Sequence, residues 1–247
     1  MKTIAFDIMA DSEESYWWYR ARREIFCDVI NRLAPPGSDI VDFGAGTGGT
    51  AAALAESGYN LLAADVSEAA LEACQLRGLA TVDLRKNRLP AACCDCVLAG
   101  DVLEHVSDDL ELLATLGRLL RPGGFLVLTV PAYEFLWSGE DYVSEHVRRY
   151  TRRVLERRLR LAGFEILRCS YFNTLLLPVI AGVILAKRLL FPREMYRSDI
   201  APLREWQNDL LYRIFAFEGV LLRWTSFPAG ASLFAVARFS GKGRGVV

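Results

Sequence analysis

The chain has 247 residues, 52% of them apolar and 24% charged. That composition fills the core of one α/β domain with an insertion and excludes an intrinsically disordered chain. Thirty acidic and 29 basic side chains leave a formal charge of −1, which excludes binding through whole-chain basicity, so no nucleic-acid partner is expected.

In chain order, apolar spacing predicts a helix over 13–33, stopped by Pro35-Pro36-Gly37. A short apolar strand over 39–43 runs into glycines, and an alanine-rich helix follows over 47–57. Next come a strand over 60–64 ending at Asp65, a Ser67-capped helix to 77, and a strand over 79–82 ending at Asp83. A fourth strand spans 94–99. Asp108 and Glu111 open a helix that runs to 120 and is broken by Arg121-Pro122-Gly123-Gly124. A strand over 125–130, a long loop, a helix over 151–161, a strand over 165–172 and a last strand over 232–239 complete the pattern. Strands alternating with helices predict a Rossmann-like, seven-stranded, mostly parallel sheet covered on both faces. The whole chain reads as one domain: an N-terminal helical lid (1–37), a core (38–172), an apolar helical insertion (173–231), and the last strand with a glycine-rich, frayed tail (232–247).

Three of six cysteines (Cys93, Cys94, Cys96) crowd one apolar run with no partner set to complete a knuckle, and no metal site is expected. Residues 1–9 show no secretory pattern. The longest apolar run, 175–186, is shorter than the ~20 residues of a bilayer span. The expectation is a cytoplasmic chain whose insertion is a substrate lid, a peripheral contact with the inner membrane face, or a homodimer face.

The strongest motif is Val41-Asp42-Phe43-Gly44-Ala45-Gly46-Thr47-Gly48-Gly49, between a strand and a helix. Such a loop brings backbone close to a ligand at a helix start. Gly44, Gly46 and Gly49 fit the dinucleotide fingerprint, which keeps an NAD(P)-dependent oxidoreductase open. Gly44, Gly46 and Gly48 with Asp42 fit the loop that takes S-adenosylmethionine. Asp42, Asp65, Asp83 and Asp101 all fall at or beside strand ends, where ligands of such sheets bind. Each alone is an ordinary turn or cap residue; four together favour a cationic ligand over a pyrophosphate.

The segments VDFGAGTGG, AADVSEAAL, Asp83-Leu84, LAGDVLEHV and LLRPGGFLVLTVP, in this order, resemble the class I S-adenosylmethionine-dependent methyltransferases. The stretches YWWYRARREI and SGEDYVSEHVRRYTRRVLERRLRLAGF resemble a bacterial type 11/type 23-like subgroup, often tied to lipid, polysaccharide or secondary-metabolite pathways. The resemblance implies S-adenosylmethionine as cofactor and S-adenosylhomocysteine as product. It implies that Gly44, Ala45 and Gly46 pack on the methionine part, with Asp42 and Asp101 beside it. Asp65 would hold the ribose, Val66 flank the adenine, and Asp83 with Leu84 meet its edge. Trp17 and Arg22 would belong to a lid helix, Arg22 reaching the cofactor carboxylate.

The acceptor implied is a small or lipid-linked molecule, with O-methylation favoured. His105 and His146 are the chain's two histidines, both in motif loops, and suit proton transfer near neutral pH. Tyr150 is read as their helper, against a plain packing role. The arginines at 148, 149, 152, 153, 157, 158 and 160 form either a solvated helix face or a patch for anionic headgroups. A non-catalytic relative of the methyltransferases that docks on a membrane or partner remains the other alternative.

Overall fold

The apolar runs become β1 (Asp39–Phe43), β2 (Asn60–Asp65), β3 (Ala80–Asp83), β4 (Cys94–Gly100), β5 (Leu120–Pro131), β6 (Phe164–Phe172) and β7 (Ser232–Phe239). The computed structural model describes residues 3–200 and 202–240, so the glycine-rich tail lies outside the described residues. The strands form one sheet in the order β3-β2-β1-β4-β5-β7-β6. β1 to β5 pair in parallel, and β7 runs antiparallel between β5 and β6.

Side chains of adjacent strand residues point to opposite faces, and the core divides accordingly. Leu126 and Leu128 of β5 pack with Leu113 and Leu116 of α5 (Asp109–Leu119) and Leu155 of α7 (Arg152–Leu161). Val127, between them, packs on the other face with Phe26 and Ile30 of α2 (Trp17–Leu33) and Phe215 of α9 (Glu205–Leu221). Each such fully buried side chain contributes about 1.5–3 kcal/mol.

Three elements differ from the pattern read in sequence. The helix expected from residue 13 starts at Trp17, and a separate α1 (Thr3–Ser12) precedes it across a turn. β5 begins at Leu120, ahead of the Arg121–Gly124 break: Cys94 pairs with Leu120 and Cys96 with Phe125, so the residues between bulge outward. The long loop after β5 holds α6 (Gly139–Ser144). The apolar run forms α8 (Leu177–Leu190), in which only Ile184 is buried while Val183, Leu189 and Leu190 are more than half exposed. No helix of the described residues is long and apolar enough to cross a membrane.

Candidate active site

β1 delivers the chain into the glycine loop, and α3 (Gly49–Glu56) starts where the loop ends. Gly44 and Gly46 hold φ of 76° and 56°, a left-handed backbone that favours glycine. A Cβ on Gly44 would stand 2.6 Å from Val102 Cγ2, so the loop sits directly against the segment after β4. The backbone N–H of Gly44 donates to Ala64 O (2.7 Å), and Ala45 N–H reaches the same oxygen at 3.4 Å. Both tie the loop to β2.

The four acids line one edge of the sheet. Asp65 and Asp83 are register partners at the ends of β2 and β3, Asp42 lies in β1, and Asp101 follows β4 directly. Asp65 accepts from Gly46 N–H (3.1 Å) and Ser67 N–H (2.8 Å), which sets its carboxylate between loop and turn. Asp42 is buried in β1, 5% exposed. Burial pushes it up to about 7; Arg22 pulls it down, while Glu13 and Asp65 push it further up. Hydrogen bonds from Arg85 hold Asp83 well below the usual carboxylate range. Asp101 sits at φ 56°, accepts from Thr129 Oγ1 (3.1 Å), and pairs with Arg22. Val66 is exposed at the edge of this row, and Leu84 is tied to it through its N–H to Asp65 O (3.0 Å).

The N-terminal helices cover the loop. Met9 of α1 lies against Gly46, where a Cβ would come within 2.9 Å of its Cε. Glu13, in the turn before α2, is buried and accepts from Thr47 Oγ1, from Gly49 N–H (3.1 Å) and from Arg77 Nη2 (3.1 Å). Its charge therefore caps the N-terminus of α3. Nothing in the sequence marked Glu13: an acid ahead of an aromatic helix has no motif, and its partners lie more than thirty residues away.

The Arg22 guanidinium lies 4.4 Å from the Trp18 ring and is bonded to Asp101. Trp17 requires correction as a cofactor-facing residue. It is buried edge-on against Phe215, centroids 5.8 Å apart, and its backbone N–H donates to Asn208 Oδ1 (2.8 Å). It anchors α2 to α9. Beneath α2 a small pocket lined by Arg22, Phe26, Val127, Thr129, Phe172 and Phe234 has Arg22 and Thr129 as its polar residues.

The histidines come together. His105 ends a 3-10 turn (Leu103–His105), and His146 follows α6, which Glu145 terminates at φ 59°. Their ring centroids are 4.7 Å apart and nearly perpendicular. Burial, with His146 next, depresses His105 to about 4. His146 Nδ1 lies 2.8 Å from Asp141 Oδ1. Asp141 is fully buried and also accepts from Arg149 Nε (2.9 Å), Arg149 Nη2 (2.7 Å) and Ser138 N–H (2.7 Å). Burial alone would raise this carboxyl; the bonds from His146 and Arg149 prevail and hold it at about 2.

Glu104 is fully buried with neither carboxylate oxygen hydrogen-bonded, and burial, reinforced by Asp101, pushes its carboxyl well up. Tyr150, expected as a helper, is instead a core residue, its hydroxyl bonded to Asp109 Oδ2 (3.0 Å) and Leu103 O (3.3 Å). The arginine cluster is largely internal wiring. Arg149 serves Asp141, Arg148 and Arg158 reach Asp109, and Arg152 and Arg160 bind Glu156.

Comparison with known proteins agrees with this geometry. Residues 17–168 match the family model described as "Methyltransferase domain". A protein of Mycolicibacterium smegmatis named "Probable S-adenosylmethionine-dependent methyltransferase/" is 29% identical over 63% of this chain and 62% of its own length. A "Ubiquinone biosynthesis O-methyltransferase" of Hahella chejuensis is 29% identical over 50% of this chain and 58% of its own. The chain thus spans less than two thirds of these curated relatives.

Among solved structures, an S-adenosylmethionine-dependent methyltransferase of Mesorhizobium loti superposes with TM-score 0.54 at 19% identity, covering 85% of this chain and 96% of the other. The [4+2]-cyclase SpnF superposes at 0.58 and 20% identity, covering 91% and 86%. These likenesses establish the fold alone, and the cyclase shows that one fold carries unlike reactions. The family match, the strand order and the acid-lined glycine loop agree: the chain belongs to the methyltransferase domain family, with the Rossmann-like fold of the S-adenosylmethionine-dependent enzymes.

Proposed function

We propose that the chain moves the methyl group of S-adenosylmethionine to an oxygen of a small or lipid-linked acceptor, leaving S-adenosylhomocysteine. The observation that carries the cofactor half is Asp42: a buried acid beside a glycine loop and in line with three further acids suits an ammonium and a sulfonium and repels a pyrophosphate. The cofactor supplies a methyl group already activated by its sulfonium. The chain's own task is placement.

In this reading Gly44, Ala45 and Gly46 offer backbone at close range. Asp42 and Asp101 face the methionine end, Asp65 the ribose hydroxyls, and Asp83 with Val66 and Leu84 the adenine. Arg22, already steered by Asp101, stands ready for the carboxylate. α1 and α2 close over the crevice and exclude water, and Met9 shifts from Gly46 to admit the ligand. Aligning acceptor, methyl and sulfur in this way is worth about 7–11 kcal/mol.

His105 and His146 serve the acceptor end. His146 Nδ1 is held by Asp141, which leaves Nε2 for the acceptor side. Oxygen as the target is supported by the ubiquinone O-methyltransferase relative. A lipid-linked acceptor is supported by the exposed apolar faces of α8 and α9, including Leu189, Leu190, Trp206 and Phe217, which also suit peripheral contact with the cytoplasmic membrane face.

The test is transfer from methyl-labelled S-adenosylmethionine to a panel of phenols, sugars and prenylated phenols, with amines as a control. Label in an O-methyl product is expected. Label confined to amines rejects the oxygen reading, and binding without turnover on any acceptor favours the docking-protein alternative.

A further inference from the structure

Glu104, His105 and His146 place one ligand atom each, a carboxylate oxygen and two ring nitrogens, within 4.8 Å of one another. Three independent features single this cluster out. First, Glu104 has no exposed surface and both oxygens lack a partner. A buried carboxylate in that state is costly unless a cation or proton meets it. Second, His146 Nδ1 is bonded to the fully satisfied carboxylate of Asp141, the outer carboxylate that fixes a metal-bound imidazole and directs its Nε2 to the ion. Third, two loops are fastened together at this point. Val147 N–H donates to Glu104 O (2.8 Å), and Arg148 Nη2 donates to Val106 O (3.1 Å) and Ser107 O (2.6 Å), so the ligands are held across the gap between the β4 loop and the segment after α6.

We propose that Glu104, His105 and His146 bind one divalent transition-metal ion of the Zn²⁺ or Co²⁺ class. Two imidazoles and one carboxylate suit such ions rather than Mg²⁺ or Ca²⁺, which prefer all-oxygen shells. Bonds of about 2.0–2.2 Å require the three atoms to close to roughly 3.4 Å apart, a side-chain adjustment. Three protein ligands leave a position open for water or an acceptor oxygen. The imidazoles are only partly buried, which keeps a path to it. Use of that position by an acceptor rests on the methyl-transfer reading; metal binding itself does not. The cysteines are a separate set, with Cys94 and Cys96 buried in β4.

The experiment titrates the chelator-treated full chain with Co²⁺ and follows visible absorption, and repeats the titration with Zn²⁺ by calorimetry. Glu104→Gln and His146→Ala are run beside it, and melting in chelator checks that each variant folds. Expected are one equivalent of Co²⁺ with d–d bands and no sulfur-to-cobalt band, and a higher melting temperature with metal. In both folded variants affinity should fall by about tenfold or more. No binding by the native chain, unchanged binding in folded Glu104→Gln, or a strong sulfur-to-cobalt band overturns the site. S-adenosylmethionine titrated separately reports on the cofactor reading, so failure of one leaves the other standing.

Discussion

Asp42 stores a pH dependence at a single residue. Its folded value of about 7 lies above the ~3.9 of an unfolded aspartate, so between these limits the folded chain holds the extra proton. Stability from this group is therefore fully present below about pH 4 and falls as pH rises to about 7, by an amount of order 4 kcal/mol. Asp42→Asn should flatten that decline in denaturant unfolding and be more stable than the native chain at pH 8. Identical pH profiles for the two would contradict the assignment.

At the neighbouring positions the effects are on binding. Asp65→Ala should weaken S-adenosylmethionine by about 1.5–3 kcal/mol, the scale of hydrogen bonds to a charged group. Gly46→Val should abolish binding, because its φ of 56° strains a branched residue and the added side chain stands where the ligand would approach the loop. Unchanged affinity in calorimetry refutes either role.

Whole elements raise a different question: what keeps α1 and α2 closed. Glu13 joins the turn between them to the start of α3 and to Arg77, and its loss leaves Gly49 N–H and Thr47 Oγ1 unmatched. Glu13→Ala should cost about 1–3 kcal/mol locally and speed proteolysis near residues 12–16, leaving the sheet intact. Equal cleavage rates would show that the cover is held by other contacts. For the loops carrying His105 and His146, His146→Ala should slow transfer far more than it weakens the cofactor. A loss of cofactor affinity matching the loss of rate would make its role structural. On α8, Leu189→Glu with Leu190→Glu should lower the rate on a prenylated acceptor and spare a short phenol; equal rates would assign that face to something other than the acceptor.

Over the whole molecule, what could be read in advance follows from how the sheet is built. Parallel strands buried on both faces are short apolar runs; here the first three carry an acid at or near their carboxyl ends, so β1, β2 and β3 with Asp42, Asp65 and Asp83 were legible. α6 was not, because six residues held by a Ser138–Asp141 capping box have no apolar period to detect. α1 was not, because the helix was read from residue 13, and α2 opens at Tyr16, whose side chain makes no cap hydrogen bond to mark the break.

Trp17 was misassigned because helical spacing gives a face and not its partner, and the partner, α9, enters from the other end of the chain. Tyr150 belonged to the core for a similar reason: its hydroxyl meets Asp109, forty-one residues away, which no local pattern reveals. The Glu104–His105–His146 cluster has the same character, since its members meet only once β4 and β5 are paired. The glycine loop and its row of acids are local in sequence and legible; the loops that carry His105 and His146 are brought together by topology.

The most direct test of the account is calorimetric titration of the purified chain with S-adenosylmethionine, S-adenosylhomocysteine and NADH side by side. Micromolar binding of the first two with none of the third is the predicted result. Binding of NADH alone would contradict the methyl-transfer account and return the glycine loop to a dinucleotide.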